Sequence, residues 1–213
     1  MDGKRLVLQK TTSQGQVYLG ELAAGGTRMN LPRRLTNDDA IDQVYAWMPD
    51  SKAVLFDSDR NGTRGIFKQR ISEDAAEALT TGEKEAWLPR VSADTAWIFY
   101  GVGLRPTEAV SLMRIPISGG VPQLVLRIPK GLNYDCARGR AGLCVVFEET
   151  EDGKYATVTA FDPLKRRRKT LRMIEKDPSA HLHDFGSALS HDGSTFAIAR
   201  SFGADIRIRL PIH

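Results

Sequence analysis

Two cysteines in 213 residues are too few for a disulfide framework, so a fold of this size has to be held by a hydrophobic core. Long apolar runs are missing too: none approaches the roughly 18 residues that a bilayer span needs. Met1 to Arg5 lead into the strand-like Leu6-Val7-Leu8 without an apolar leader, and the expectation is a chain with no export signal of its own. No Gly-x-Ser-x-Gly pentapeptide occurs, so the nucleophile elbow of the α/β-hydrolases is not encoded here. Nor is charge one-sided: 30 basic against 26 acidic residues leave +4, spread along the chain, and no nucleic-acid partner is expected. The densest basic cluster, Lys165 to Lys169, lies between two strand-like segments and reads as a solvated hairpin turn.

What the sequence does have is a recurring phrase. Trp47-Met48-Pro49-Asp50-Ser51-Lys52-Ala53-Val54-Leu55-Phe56 returns in weaker form around Asp94 and again around Asp192. The offsets from Asp50 to Asp94 and from Asp94 to Asp192 are 44 and 98, the second twice 49, which places a degenerate copy near residue 140. A period in the middle forties, made of short apolar strands and polar turns, is that of a four-stranded propeller blade. The expected fold is therefore all-β: a β-propeller segment of four-stranded antiparallel blades, read as an open arc of three full and two partial blades. The units fall at about 1–36 (partial), 37–82, 83–130, 131–176 and 177–213 (partial), with three strands expected between Leu6 and Leu31. In the second unit, Pro49 presets a turn angle, Asp50 can accept a local backbone hydrogen bond, and Asn61-Gly62 supplies the positive angles that hairpins favour. Val44, Val54, Phe56 and Ile66 alternate with their neighbours as in half-buried strands.

The Trp47-x-Pro49-Asp50-x-Lys52 phrase, followed by Phe56-x-Ser58-x-Arg60-x-Gly62, resembles the propeller repeat of the TolB family of bacterial proteins. Cys136-Ala137-Arg138, Gly142-Leu143-Cys144-Val145, Thr159-Ala160-Phe161-Asp162-Pro163 and Ser190-His191-Asp192-Gly193 resemble the C-terminal propellers of bacterial signalling proteins, notably acidobacterial ones, that carry a kinase or winged-helix domain and a membrane span upstream. The resemblance implies a sensory or protein-binding module. None of the kinase or winged-helix motifs has a matching position here, so no catalytic residue is carried over.

Other motifs carry less. Asp184-Phe185-Gly186 spells the kinase magnesium triplet without the loops that triplet serves. Asp57 to Gly62 imitates the start of a calcium loop, but Lys68 stands where the bidentate glutamate belongs, and a hairpin turn accounts for the same residues. His181-x-His183-Asp184 gathers metal-type ligands on alternate residues without a fourth. Cys136 and Cys144 read as two buried thiols or, since a hairpin can bring them face to face, as a disulfide.

The leading expectation is a non-catalytic binding module without cofactor or resident metal, making no membrane contact of its own. The alternatives are the regulatory part of a kinase or winged-helix regulator and a metal-dependent propeller enzyme centred on His181. A protein or peptide partner is expected on the rim formed by the inter-blade loops and the second-to-third-strand turns. That rim collects Asp38, Asp39, Asp59, Glu151, Asp152, Asp177, His181, His183 and Asp184. Exposed terminal blades would favour self-association. The compartment stays open, extracytoplasmic if the parent is membrane-anchored, where the cysteines would be oxidised.

Overall fold

The computed structural model describes residues 5–11, 15–103, 109–129, 133–139, 142–164, 167–176, 185–200 and 208–211. Their architecture is almost wholly β, and the only helical segment among them is a single 3-10 turn, Ala24–Gly26. None of their helices is long and apolar enough to cross a membrane.

The strands form five antiparallel sheets. The first holds β1 (Arg5–Thr11), β2 (Gly15–Ala23), β3 (Arg28–Met29) and β4 (Arg33–Arg34). Three strands were expected between Leu6 and Leu31 and three stand there; a fourth, β4, follows just beyond, and β3 and β4 share one edge of β2 as two-residue pairs. The second sheet runs β5 (Asp42–Trp47), β6 (Ala53–Ser58), β7 (Gly65–Arg70) and β8 (Glu77–Ala78) in sequence order. The third has β9 (Glu85–Val91), β10 (Trp97–Gly103), β11 (Val110–Pro116) and β12 (Gln123–Ile128), and the fourth β13 (Asn133–Cys136), β14 (Cys144–Glu149), β15 (Tyr155–Asp162) and β16 (Arg167–Glu175). The fifth has three strands, β17 (Phe185–Leu189), β18 (Thr195–Arg200) and β19 (Ile208–Pro211). By compactness the chain divides into two units, residues 1–90 and 91–213.

Core placement follows the sheet order. In the first unit Val54 and Phe56 pack with Val17, Leu35 and Phe67; in the second, Val145 and Phe147 pack with Val158, Phe196 and Ile198. The expected alternation fails on β6, where all six residues are buried. An interior strand of a sheet covered on both faces has no solvent side, and its polar positions must then be paired internally. Asp57 and Ser58 are those positions, both fully buried.

The recurring phrase is a turn with a fixed hydrogen-bond pattern. Asp50, Asp94 and Asp192 each accept, through Oδ1, the amide two residues on, from Lys52 (2.9 Å), Ala96 (3.1 Å) and Ser194 (3.0 Å). The Ser92 and Ser190 hydroxyls donate to the aspartate at 2.5 and 2.6 Å and accept from the first residues of the following strands, Trp97 and Thr195. Each of these turns closes the first hairpin of its sheet. Near residue 140, where a degenerate copy was expected, the first hairpin of the fourth sheet is closed instead by a Cys136–Cys144 disulfide, with Cα atoms 4.0 Å apart. Cys136 and Cys144 are directly opposed in the β13–β14 ladder, which brings the sulfurs together. The missing turn stands one hairpin later: Thr150 donates to Asp152 at 2.6 Å, and Asp152 accepts the Lys154 amide at 3.0 Å, between β14 and β15.

Candidate functional site

The second sheet assembles most of the acidic rim that can be placed. Asp38 and Asp39 lie in the loop before β5, and Asp59 opens the β6–β7 turn, whose Gly62 holds the positive φ of 84°. Asp59 Oδ1 accepts the Ile41 amide at 2.8 Å, which ties that turn to the loop. Arg60 reaches Asp38 at 3.1 Å and Asp42 at 2.9 Å, while its guanidinium lies 4.9 and 4.8 Å from the Phe56 and Phe67 ring centres. Desolvated cation–π contact and two carboxylates hold this arginine firmly. Arg34 adds bonds to the Thr36 and Asp38 carbonyls at 2.6 and 2.7 Å. Of the carboxylates here, Asp38 and the buried Asp42 are paired with Arg60, Asp59 is spent on the Ile41 amide, and Asp39 stands exposed.

In the second unit, Glu151 and Asp152 are exposed on the β14–β15 turn, where the Thr150 hydroxyl and the Lys154 amide hold the Asp152 carboxyl below the usual range. Asp177, His181, His183 and Asp184 lie outside the described residues. Among the described residues no cluster of three or more His, Cys, Asp or Glu could hold a metal ion.

A second cluster, which sequence reasoning missed, lies in the first unit around Asp57. A β-bulge in β5 leaves Tyr45 as the extra residue, since Val44 opposes Phe56 and Ala46 opposes Leu55. The bulge aims Tyr45 at Asp57, and the two side chains hydrogen-bond. Asp57 also receives Arg64 at 2.5 Å and the Leu88 amide at 3.3 Å. Leu88 holds a φ of 55°, a costly angle for a branched side chain, in the middle of β9, and Arg90 two residues on lies 5.2 Å from the Tyr45 ring centre. Burial outweighs the arginine and pushes the Asp57 carboxyl up to about 6. Burial together with the Asp57 charge also raises the Tyr45 hydroxyl. Such a carboxylate joins the second sheet to the first strand of the next and carries a proton equilibrium near neutrality. In sequence, Asp57 to Gly62 reads as a hairpin turn; the clue to Asp57 was its place directly after the strand residues Val54-Leu55-Phe56.

The second unit has a small, open depression on the side of the first hairpins, lined by Ser92, Asp94, Phe99, Cys136, Cys144 and Leu164 among others.

No family model matches the sequence, and no curated protein matches it. Solved structures do. TolB from Acinetobacter baumannii superposes with a TM-score of 0.65 at 18% identity, covering 83% of this chain and 41% of its own. A TolB homologue from Agrobacterium tumefaciens gives 0.67 at 19%, covering 82% of this chain and 63% of its own. Prolyl oligopeptidase B from Galerina marginata, solved with a 25mer macrocyclization substrate, gives 0.63 at 15%, covering 94% of this chain and 30% of its own. The chain therefore spans less than two thirds of each of these proteins. At such identities the likeness establishes the fold, a β-propeller of the TolB-like kind, and leaves activity to the residues.

Proposed function

We propose that the chain is a non-catalytic propeller module whose acidic loops bind a basic segment of a protein partner. The observation that carries this reading is the gathering of Asp38, Asp39, Asp42 and Asp59 at one end of the second sheet, where Arg60 pairs with Asp38 and the buried Asp42 and Asp39 stands exposed. Loops held by a rigid scaffold are where binding residues concentrate, and a surplus of one charge steers an oppositely charged partner. The TolB-like fold supports a binding module. The finer role, as the sensory part of a larger bacterial signalling protein, rests on the sequence resemblance alone.

The test uses a fluorescein-labelled decapeptide of lysine and arginine, followed by anisotropy. Binding is expected to weaken as salt rises from 25 to 200 mM, as screening requires, and to fall at least fivefold in Asp39→Lys. Unchanged affinity in that variant, or loss on reversal of Arg138 and Lys169 instead, would remove the acidic loops as the site. Peptide hydrolysis by the purified chain would overturn the non-catalytic part, a reading the oligopeptidase likeness keeps in view.

A further inference from the structure

Three first hairpins close on side-chain and backbone hydrogen bonds that no redox change touches, at Asp50, Asp94 and Asp192. The fourth sheet uses the same device one hairpin later, at Asp152, yet closes its first hairpin with a bond that thiols can break. That bond sits where it can be reached and where it matters. Both cysteines line the open depression, Cys136 half-buried and Cys144 buried.

Behind them is a clasp between the fourth and fifth sheets. Asp135, one peptide bond from Cys136, accepts the Cys136 amide through Oδ1 at 2.9 Å and the Leu189 amide of β17 through Oδ2 at 2.8 Å. Within the disulfide-closed loop, the Gly139 amide donates to the His191 carbonyl at 2.7 Å. A Cβ on Gly139 would stand 2.6 Å from the His191 ring, so the loop backbone lies directly on the fifth sheet's turn. Ser187 and Asn133 add a side-chain bond at 3.0 Å. Asp135 and Gly139 lie within three residues of Cys136 on either side, so both of their bonds follow the end of β13 that the disulfide holds.

We propose that Cys136–Cys144 is a thiol-exchange site for dithiol reductants, entered through the depression, and that its opening releases the clasp between the fourth and fifth sheets. A reductant thiolate attacks Cys136 Sγ, the S–S bond breaks, and its electron pair leaves on Cys144 Sγ, which takes a proton. The reductant's second thiol, as thiolate, attacks its own sulfur in the mixed disulfide and displaces Cys136, which takes a second proton. Two electrons and two protons pass to the protein, and the reductant becomes its cyclic disulfide.

The experiment treats the full chain with dithiothreitol under native conditions, titrates free thiols, and follows amide hydrogen exchange by NMR. Two thiols should appear, with exchange at Gly139 and Leu189 rising at least tenfold and at Val54, Leu55 and Phe56 of β6 unchanged. Re-oxidation should restore protection, and Cys136→Ser with Cys144→Ser should match the reduced pattern. Three results would each overturn the proposal: cysteines that resist native reduction, reduction with Gly139 and Leu189 still protected, or loss of protection throughout the chain.

Discussion

The second and fourth sheets meet the same demand, a first hairpin and a bond to the next sheet's first strand, with different chemistry. In the second, the hairpin closes on Asp50, and the joint is a buried ionised group: Asp57 takes the Leu88 amide of β9 while held by Arg64 and Tyr45. In the fourth, the hairpin closes on a disulfide, and the joint is Asp135, half-buried, taking the Leu189 amide of β17. An aspartate accepting a backbone amide is common to both. What differs is what holds the aspartate: a counter-ion and a phenol in one, a covalent bond in the other. The first joint should answer to pH and to loss of charge pairing, the second to thiols.

The largest effect expected from this contrast is on removal of the aspartates themselves. Asp57→Ala leaves Arg64 and the Leu88 amide without their shared partner inside the protein, and breaking a buried pair from one side costs about 3–5 kcal/mol. Asp135→Ala removes the acceptor of the Cys136 and Leu189 amides from a partly solvated site and should cost about 1–2 kcal/mol. Urea midpoints measure both. Equal costs would mean that Asp57 is no more committed to its joint than Asp135, and the distinction between the two sheets would fall.

Much of this was legible before the structure. Turn chemistry marked the strands: Pro49-Asp50 and Asn61-Gly62 punctuate the chain where the hairpins are, because those residues meet angles that others resist. The two-residue strand β4 was not legible, since two residues carry no period. Neither was the full burial of β6, because alternation in sequence cannot reveal that both faces of a strand are covered. The Asp57 cluster depends on the bulge at Tyr45 and the left-handed Leu88, local distortions with no signature in residue type. Of the acidic rim, the spacing located Asp38, Asp39 and Asp59 at one end of a sheet, but Arg60, which pairs with Asp38 and Asp42, was read only as part of a turn. The fourth sheet misled for a different reason: the aspartate turn moved to the next hairpin, and a period counted from aspartates cannot detect that move.

The next effect in size sharpens the pH half of the comparison. With the folded Asp57 carboxyl raised to about 6 and its unfolded value near an ordinary ~4, the folded state holds more protons than the unfolded one between these values. Its contribution to stability is therefore greatest at the acid side of that window and declines as pH rises through it. Relative to Asp57→Asn, which keeps an acceptor for the Leu88 amide but no charge, the wild type should lose about 2–3 kcal/mol between pH 4 and pH 7. A gain over that range would mean that Arg64 governs the carboxylate and burial does not.

The smallest effect tests whether the four aspartate turns are one device, including the one displaced into the fourth sheet. The residue after the aspartate is left-handed in all four: Ser51 and Thr95 at φ 57°, Gly153 at 69° and Gly193 at 72°. Each donates its amide to the carbonyl three residues back, at 2.9 Å. A β-branched residue at that angle carries about 1–2 kcal/mol of strain, while glycine there adds about 0.5–1 kcal/mol of unfolded-state entropy. Thr95 is exposed and lacks a packing role to lose, so Thr95→Gly should stabilise the protein by about 0.5–1 kcal/mol. Gly153→Ala and Gly193→Ala should each destabilise it by about 1 kcal/mol, the displaced copy behaving like the one in place. Destabilisation by Thr95→Gly, or tolerance of alanine at Gly153 alone, would show that the turn after β14 only resembles the others in sequence, and the disulfide would then be an addition to the fourth sheet in its own right.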